Sequence, residues 1–186
     1  HYGAESVYGS DIPIAVAGIV SKVNMLFLSV VIGISQGAQP IISFNYGAEN
    51  FERVKKAYLK AAGIASAVAF TGFLCFQIFP RQIISVFGNG DTLYYQFAVK
   101  FFRIFLFCTF FNGLQPVTAN FFTSIGKATK GIFLSMTRQI IFLIPLVIIF
   151  PLFMGVEGVM FAAPIADCAA GVLAILLVRK EFKKMG

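Results

Sequence analysis

The chain has 186 residues, of which 58% are hydrophobic and 12% are charged, whereas about 25% of the residues of an average soluble domain are charged. It contains 15 Lys and Arg residues against 8 Asp and Glu residues, which gives a formal net charge of +7. A soluble domain of this length cannot bury so much apolar surface, and a disordered chain carries far less of it. The composition therefore predicts an integral membrane protein whose surroundings are the lipid bilayer.

Five apolar stretches are long enough to cross the membrane, because a hydrocarbon core of about 30 Å needs about 20 helical residues. In chain order they cover residues 12–44, 54–79, 93–122, 132–154 and 158–178, and a short amphipathic helix at 80–87 is expected in the membrane interface. Continuous apolar runs of this length favour helices over barrel strands. The predicted fold is an all-α, polytopic transmembrane bundle of about five spans, forming one domain over residues 1–186.

The basic residues predict the orientation of these spans. On one side of a five-span alternation lie 11 of the 15 basic residues, namely Arg53, Lys55, Lys56, Lys60, Lys127, Lys130, Arg138, Arg179, Lys180, Lys183 and Lys184. The positive-inside rule then predicts a cytoplasmic tail at 179–186 and an external His1. An external N-terminus with an odd number of spans leads us to expect further membrane segments upstream. Because the basic residues lie in short clusters between apolar runs, no nucleic-acid partner is expected.

Asp167 is the most informative charged residue, because it lies near the middle of the fifth span, among small residues and after Pro164. A charge at this depth costs about 2.5–3.5 kcal/mol on insertion scales, so it needs a role or a partner. One interpretation is a carboxylate that lines an internal cavity and responds to protons or cations. The other is a structural group that bonds to a neighbouring helix, with Arg138 as an ion-pair partner.

Two further polar sites also have alternative interpretations. Lys22, in the first span, either extends to the outer interface or faces the cavity, where it repels or releases cationic cargo. Arg138 and Gln139, near the cytoplasmic end of the fourth span, form either an interfacial anchor or a gate between helix bundles.

Amide side chains occupy spans one and three, where a lipid-facing helix would carry leucine. The predicted cavity residues are the amides Gln36 and Gln39 with the adjacent Pro40 in span one, and the amides Asn112, Gln115 and Asn120 in span three. Proline-interrupted polar helices at bilayer depth are typical of a transport site. The alternative is helix packing through amide hydrogen bonds. The phenylalanines of span three, including Phe101 and Phe102, are expected to face mostly lipid.

The sequence contains no catalytic or metal-binding pattern. Its one histidine is His1, and it has no Ser/His/Asp, HExxH or glycine-rich phosphate-loop arrangement. Cys75, Cys108 and Cys168 lie far apart in apolar stretches and are interpreted as small buried hydrophobic residues. We therefore predict neither an enzyme nor a metal site, and no cofactor apart from Na⁺ or H⁺ as a coupling ion.

Several strings of the sequence resemble, in the same order, the C-terminal lobe of multidrug and toxic compound extrusion (MATE) transporters of the bacterial branch. They are Tyr8–Asp11, Gly33–Pro40 with Asn45–Asn50, Ala119–Lys127, Ser135–Gln139, and Gly155–Val159 with Ala163–Asp167. The resemblance implies a family fold of twelve helices in two lobes, of which the five spans are helices eight to twelve. It also implies that helix seven and the N-terminal lobe lie outside this chain, which alone is not expected to transport.

By the same resemblance, the expected function is export of amphipathic or cationic compounds in antiport with Na⁺ or H⁺ across a bacterial inner membrane. Some family members carry an acidic coupling residue on helix ten, but the embedded part of span three here has only amides. Coupling is therefore expected to rest on Asp167 or on carboxylates of the N-terminal lobe. Two alternatives remain: a flippase for lipid-linked precursors, which would need a basic cavity, and a non-transporting membrane subunit.

Overall fold

The computed structural model describes residues 11–87 and 90–185, except for the side chains of Asn112, Val156 and Glu157. The α-helices in chain order are α1 (Asp11–Gly47), α2 (Phe51–Ile78), α3 (Pro80–Phe87), α4 (Thr92–Phe105), α5 (Thr109–Asn112), α6 (Leu114–Ser124), α7 (Ala128–Met136), α8 (Ile144–Met154) and α9 (Val156–Phe182). A π-helical segment, Thr137–Leu143, joins α7 to α8, and a 3-10 turn, Lys183–Met185, follows α9. The predicted external position of His1 and most of the Tyr8–Asp11 string fall outside the described residues.

Four helices are long and apolar enough to cross a membrane: Asp11–Gly47, Phe51–Ile78, Ala128–Met154 and Gly158–Met185. A fifth span results if the bent pair Thr92–Phe105 and Thr109–Ser124 is counted as one. The described residues contain no strand. The predicted all-α bundle of about five membrane spans is therefore confirmed, while the interfacial position expected for α3 stays a prediction.

Span three differs most from its prediction. The sequence predicts one helix over 93–122, but the structure divides this stretch into α4, α5 and α6, with a bend of 41°. A Cβ at Gly113 would lie 2.8 Å from the Ala69 Cβ and 2.9 Å from the Ala65 carbonyl oxygen, so this glycine permits close contact with α2. Pro116 lies in the first turn of α6, where its missing N–H is tolerated and where a continuous helix would be interrupted.

Three of the four phenylalanines of α4 are buried and the fourth, Phe105, is half-buried, which corrects the expectation that the phenylalanines of span three mostly face lipid. Phe97, Phe101 and Phe102 are at most 3% exposed and pack in one cluster with valines of α1. In the break and in α5, Phe107 and Phe110 are exposed as expected. The prediction failed because lipid tails and the protein interior are equally apolar, so the sequence alone does not tell which of the two a hydrophobic residue contacts.

The turn predicted at Gly155–Gly158 connects α8 and α9 as a tight hairpin. Gly155 has a φ of 60°, a conformation that favours glycine. A Cβ at Gly158 would meet the Phe150 carbonyl oxygen at 2.5 Å, so the second glycine lets the two helices approach closely. The hairpin brings α9 alongside the π-helical segment and α8.

Candidate functional site

A polar pocket of about 350 Å³ lies between α1, α6, α7 and the π-helical segment. Its polar lining consists of Gln36, Gln115, Asn120, Ser135, Arg138 and Gln139. Its apolar lining consists of Leu28, Ile32, Pro116 and Ala119. The volume lies in the usual range of small-molecule sites, about 300–1,000 Å³, and the mixed wall suits a ligand with an apolar body and polar groups.

Hydrogen bonds between α1 and α6 support one wall of this pocket. The Asn120 Nδ2 donates to the Ser35 Oγ at 2.7 Å, and the Ser35 Oγ donates to the Pro116 carbonyl oxygen at 3.4 Å. Ser35 is 2% exposed, so these bonds lie inside the protein. They fix the position of α1 against α6, and the next residue of α1, Gln36, is exposed and lines the pocket.

The opposite wall is formed by the start of the π-helical segment. Wider π turns change the direction of the following side chains and are frequent at functional sites. Backbone carbonyls just before the segment accept bonds from side chains: the Thr137 Oγ1 donates to the Phe133 oxygen at 2.6 Å, and the Gln115 Nε2 donates to the Leu134 oxygen at 3.4 Å. The segment thus places Arg138 at the pocket, and the bond from Gln115 ties the last turns of α7, just before the segment, to α6.

Arg138 connects the pocket to α9. Its Nε lies 2.7 Å from the Asp167 Oδ1, and the two side chains are 19% and 4% exposed. Small buried residues beside Asp167, such as Ala163 and Ala166, let α9 approach the π-helical segment. The carboxylate therefore lies behind the pocket wall and compensates the charge of Arg138. Because the pair is largely buried, removal of one partner would leave the charge of the other uncompensated away from water.

Five of the predicted site residues come together in this pocket: Gln36, Gln115, Asn120, Arg138 and Gln139. Asp167 contacts the pocket residue Arg138, which is the structural pairing that the sequence left as one of two interpretations. Ser35 and Ser135 were not predicted, because serines in apolar helices carry little signal on their own. The position of Ser35 beside Gln36 was the one available indication.

Other predicted residues lie elsewhere. Lys22 and Pro40 are exposed and Gln39 is half-buried, and none of them lines the polar pocket. Asn112 belongs to α5, and its side chain is outside the described part of the chain. The helical face predicted for span one is therefore divided, with Gln36 at the pocket and its neighbours away from it.

The cysteines differ from their interpretation as separate buried residues. The Sγ atoms of Cys108 and Cys168 lie 2.9 Å apart, although 60 residues separate them in the chain. Cys75 is exposed rather than buried. Among the residues that the structure describes, no group of three or more His, Cys, Asp or Glu side chains is placed to hold a metal ion.

Comparison of this sequence and structure with known proteins identifies the protein family to which the chain is similar. The sequence profile of the MatE family matches residues 6–167. A curated relative from Shewanella oneidensis, named FAD transporter, is 20% identical over 168 residues, which are 90% of this chain and 37% of that protein. The chain thus spans less than half the length of this relative.

Solved structures of MATE transporters share the fold. One, of the MATE multidrug transporter DinF-BH, is 35% identical with a TM-score of 0.83, over 93% of this chain and 39% of that one. An outward-facing MATE transporter of the MOP superfamily is 20% identical with a TM-score of 0.86, over 92% of this chain and 39% of that one. An inward-facing one is 19% identical with a TM-score of 0.85, over 94% and 42% of the two chains.

Proposed function

Because this chain belongs to the MatE family of membrane transporters, we propose that it forms one lobe of a secondary transporter that exports amphipathic or cationic compounds. Export is coupled to the opposite movement of Na⁺ or H⁺. The observation that carries the proposal is the polar pocket, whose residue Arg138 is paired with Asp167 behind the pocket wall. The family is one of transporters, and we assign no catalytic step to the chain.

The charge balance of the pocket suits a cationic cargo while the ion pair is intact. The described lining residues other than Arg138 are amides, a serine and apolar groups. With Arg138 paired to Asp167, the wall has no net charge, and the amide oxygens of Gln36 and Asn120 are available to a polar ligand. The apolar residues provide a surface for the hydrophobic part of an amphipathic compound.

Binding of the coupling ion at Asp167 reverses that balance. A proton or Na⁺ on the carboxylate weakens its compensation of Arg138, and the uncovered guanidinium charge repels a cation in a medium of low dielectric constant. The coupling ion and the cargo therefore disfavour each other's binding. Antiport requires this negative coupling between two ligands, and the coupling is reciprocal.

Alternating access requires a second lobe, which we propose is the N-terminal lobe of the family fold. The similar TM-scores against outward-facing and inward-facing transporters, 0.86 and 0.85, support a lobe that moves largely as a rigid body. The basic clusters support an orientation with the tail 179–186 in the cytoplasm. The relative from Shewanella oneidensis agrees with a location in a bacterial inner membrane.

The test is energised efflux of fluorescent cationic dyes from cells that express the full-length protein with and without Asp167→Asn. We expect Asp167→Asn to reduce efflux by about fivefold or more, since coupling free energies of about 1–3 kcal/mol correspond to factors of about 5–150. The matched control is Glu52→Gln, which removes the charge of a carboxylate that is 85% exposed and leaves efflux unchanged. Membrane abundance is measured for every variant.

Two outcomes would contradict the proposal at different points. Equal efflux by the wild type and Asp167→Asn would make Asp167 structural and move coupling to another part of the protein. No efflux by the wild type across a broad dye panel would contradict cationic drug export itself, and would favour a flippase or a non-transporting subunit.

A flavin nucleotide is a second candidate cargo, favoured by one specific observation. Arg138 is the one charged residue among the described lining residues, and its charge suits an anionic phosphate group when Asp167 is neutralised. The relative named FAD transporter agrees with such a cargo. Measurement of FAD in the medium of expressing and control cells distinguishes this cargo from the cationic dyes.

A further inference from the structure

A second groove, on another side of α1 from the polar pocket, lies between α1 and α2 and has a volume of about 640 Å³. From α1 it is lined by Ile34, Gly37, Ala38, Ile41 and Asn45. From α2 it is lined by Arg53, Lys56, Ala57, Lys60, Ala61 and Ile64. On both helices these residues recur at spacings of three and four, so each helix presents a single stripe to the groove.

The groove is cationic from Arg53 to Lys60, about 10 Å along α2, and apolar beyond Lys60 and on most of its α1 side. Arg53, Lys56 and Lys60 are exposed and lie in the first part of α2. From Arg53 to Ile64 the groove extends along α2 by about 17 Å, at 1.5 Å per residue. Apart from Asn45, its other lining residues are small or aliphatic, and Ile64 is 56% exposed, so the apolar end is open at the protein surface.

Acidic residues do not cancel the positive end. The Lys56 Nζ lies 3.5 Å from the Glu52 Oε2, but these side chains are 72% and 85% exposed, and ion pairs this exposed are weak. Among the described residues that line the groove, none is acidic. Arg53 also lies in the first turn of α2, where the helix dipole adds positive potential.

We propose that this groove binds an anionic phospholipid. The phosphate lies beside Arg53, Lys56 and Lys60, and an acyl chain lies between the small residues of α1 and α2. Basic pockets between transmembrane helices recognise anionic headgroups through this combination of charge and depth. A free phosphate would use the cationic end alone, whereas a lipid uses the full length of the groove. The proposal does not depend on the cargo or the coupling ion.

The experiment titrates the purified full-length protein with phosphatidylglycerol, phosphatidylethanolamine or inorganic phosphate and follows its thermal unfolding. Phosphatidylglycerol is expected to raise Tm, because a ligand that binds the native state stabilises it. The zwitterionic lipid and inorganic phosphate are expected to leave Tm unchanged. A rise with phosphate equal to that with phosphatidylglycerol would overturn the lipid assignment, and an equal rise with both lipids would overturn the need for negative charge.

Charge removal tests the cationic end. The variant R53Q/K56Q/K60Q is expected to bind phosphatidylglycerol about tenfold more weakly or worse, because it removes the three basic residues that attract the anionic headgroup. The matched control R179Q/K180Q/K184Q removes three exposed charges from the end of α9 and the tail and is expected to retain binding. Equal weakening by the two triple variants would contradict a site between α1 and α2.

Filling the groove tests its apolar part independently of charge. A Cβ at Gly37 or at Gly33 meets nothing within 4 Å, and leucine is a better helix former than glycine, so Gly37→Leu and Gly33→Leu are both expected to fold. Gly37 lines the groove, whereas Gly33, one turn earlier, does not. Gly37→Leu is expected to weaken phosphatidylglycerol binding and Gly33→Leu to preserve it. Unchanged binding by Gly37→Leu would show that no acyl chain occupies the groove.

Discussion

Among the described residues, two ionic contacts connect α9 to the preceding span, and they differ in the exposure of their cations. In the first, Arg138 and Asp167 are 19% and 4% exposed. In the second, Glu181 is 1% exposed and bonds to both Lys127 and Lys130, whose side chains are 36% and 41% exposed. The acid is buried in both contacts. The cations of the second can turn towards water, whereas that of the first is largely enclosed.

The number of cations also differs, and so does the response to pH. A hydrogen bond to Glu181 raises the pKa of Lys127 above its usual 10.5. For a lysine with a raised pKa, the stabilisation is fully present below the usual value and is lost as the pH rises through the raised one. The contact at Glu181 therefore keeps its charged lysine across neutral pH and acts as a structural ion pair that does not depend on pH in this range. The contact at Asp167 is the one that we assign to ion coupling.

Replacement of the acidic residue is expected to give the largest difference in unfolding free energy between the two contacts. Asp167→Asn strands the enclosed charge of Arg138 and should reduce the free energy of unfolding by about 3 kcal/mol. Glu181→Gln should reduce it by about 1 kcal/mol, because both lysines regain hydration. Chemical or thermal unfolding of the purified full-length protein measures both values. A larger loss for Glu181→Gln would contradict the distinction based on exposure.

Removal of both charges of the first contact is expected to restore part of the unfolding free energy that Asp167→Asn loses. The variant Arg138→Gln/Asp167→Asn has no stranded charge, and its free energy of unfolding should exceed that of Asp167→Asn by about 2 kcal/mol. Its dye efflux should stay as low as that of Asp167→Asn, because the coupling carboxylate is still absent. Recovery of efflux together with stability would mean that the pair is structural.

The smallest effect is expected from the loss of one lysine at the second contact. Lys127→Gln leaves Lys130 bonded to Glu181 at 2.6 Å, so the free energy of unfolding should fall by less than about 1 kcal/mol. The difference from wild type should be the same at pH 6 and pH 8, since the lysine stays charged in this range. The exposed tail residue Lys183 provides the control, Lys183→Gln. A strong pH dependence of the Lys127→Gln effect would contradict the interpretation of the contact at Glu181 as a structural ion pair that is independent of pH in this range.

Much of the candidate site was accessible from the sequence, because its residues are polar groups where lipid would exclude them. Gln36, Gln115 and Asn120 were recognisable on this ground, and Arg138 was named as a partner for Asp167. Lys22 and Gln39 met the same criterion but do not line the pocket. Polarity at bilayer depth predicts that a side chain needs a partner, but it does not identify the partner or the cavity.

Composition by itself determined that the chain is a membrane protein, because only lipid accommodates so much apolar surface. The length and continuity of the apolar runs determined that its spans are helices rather than barrel strands. Tertiary structure decided what local pattern leaves open: the break of span three between Phe105 and Thr109, the burial of Phe101 and Phe102, and the bond between Asn120 and Ser35. It also decided that α1 lines a polar pocket and a basic groove on different stripes. The physical reason is that hydrophobicity responds equally to lipid and to protein neighbours, so only contacts between residues distant in the chain distinguish the two.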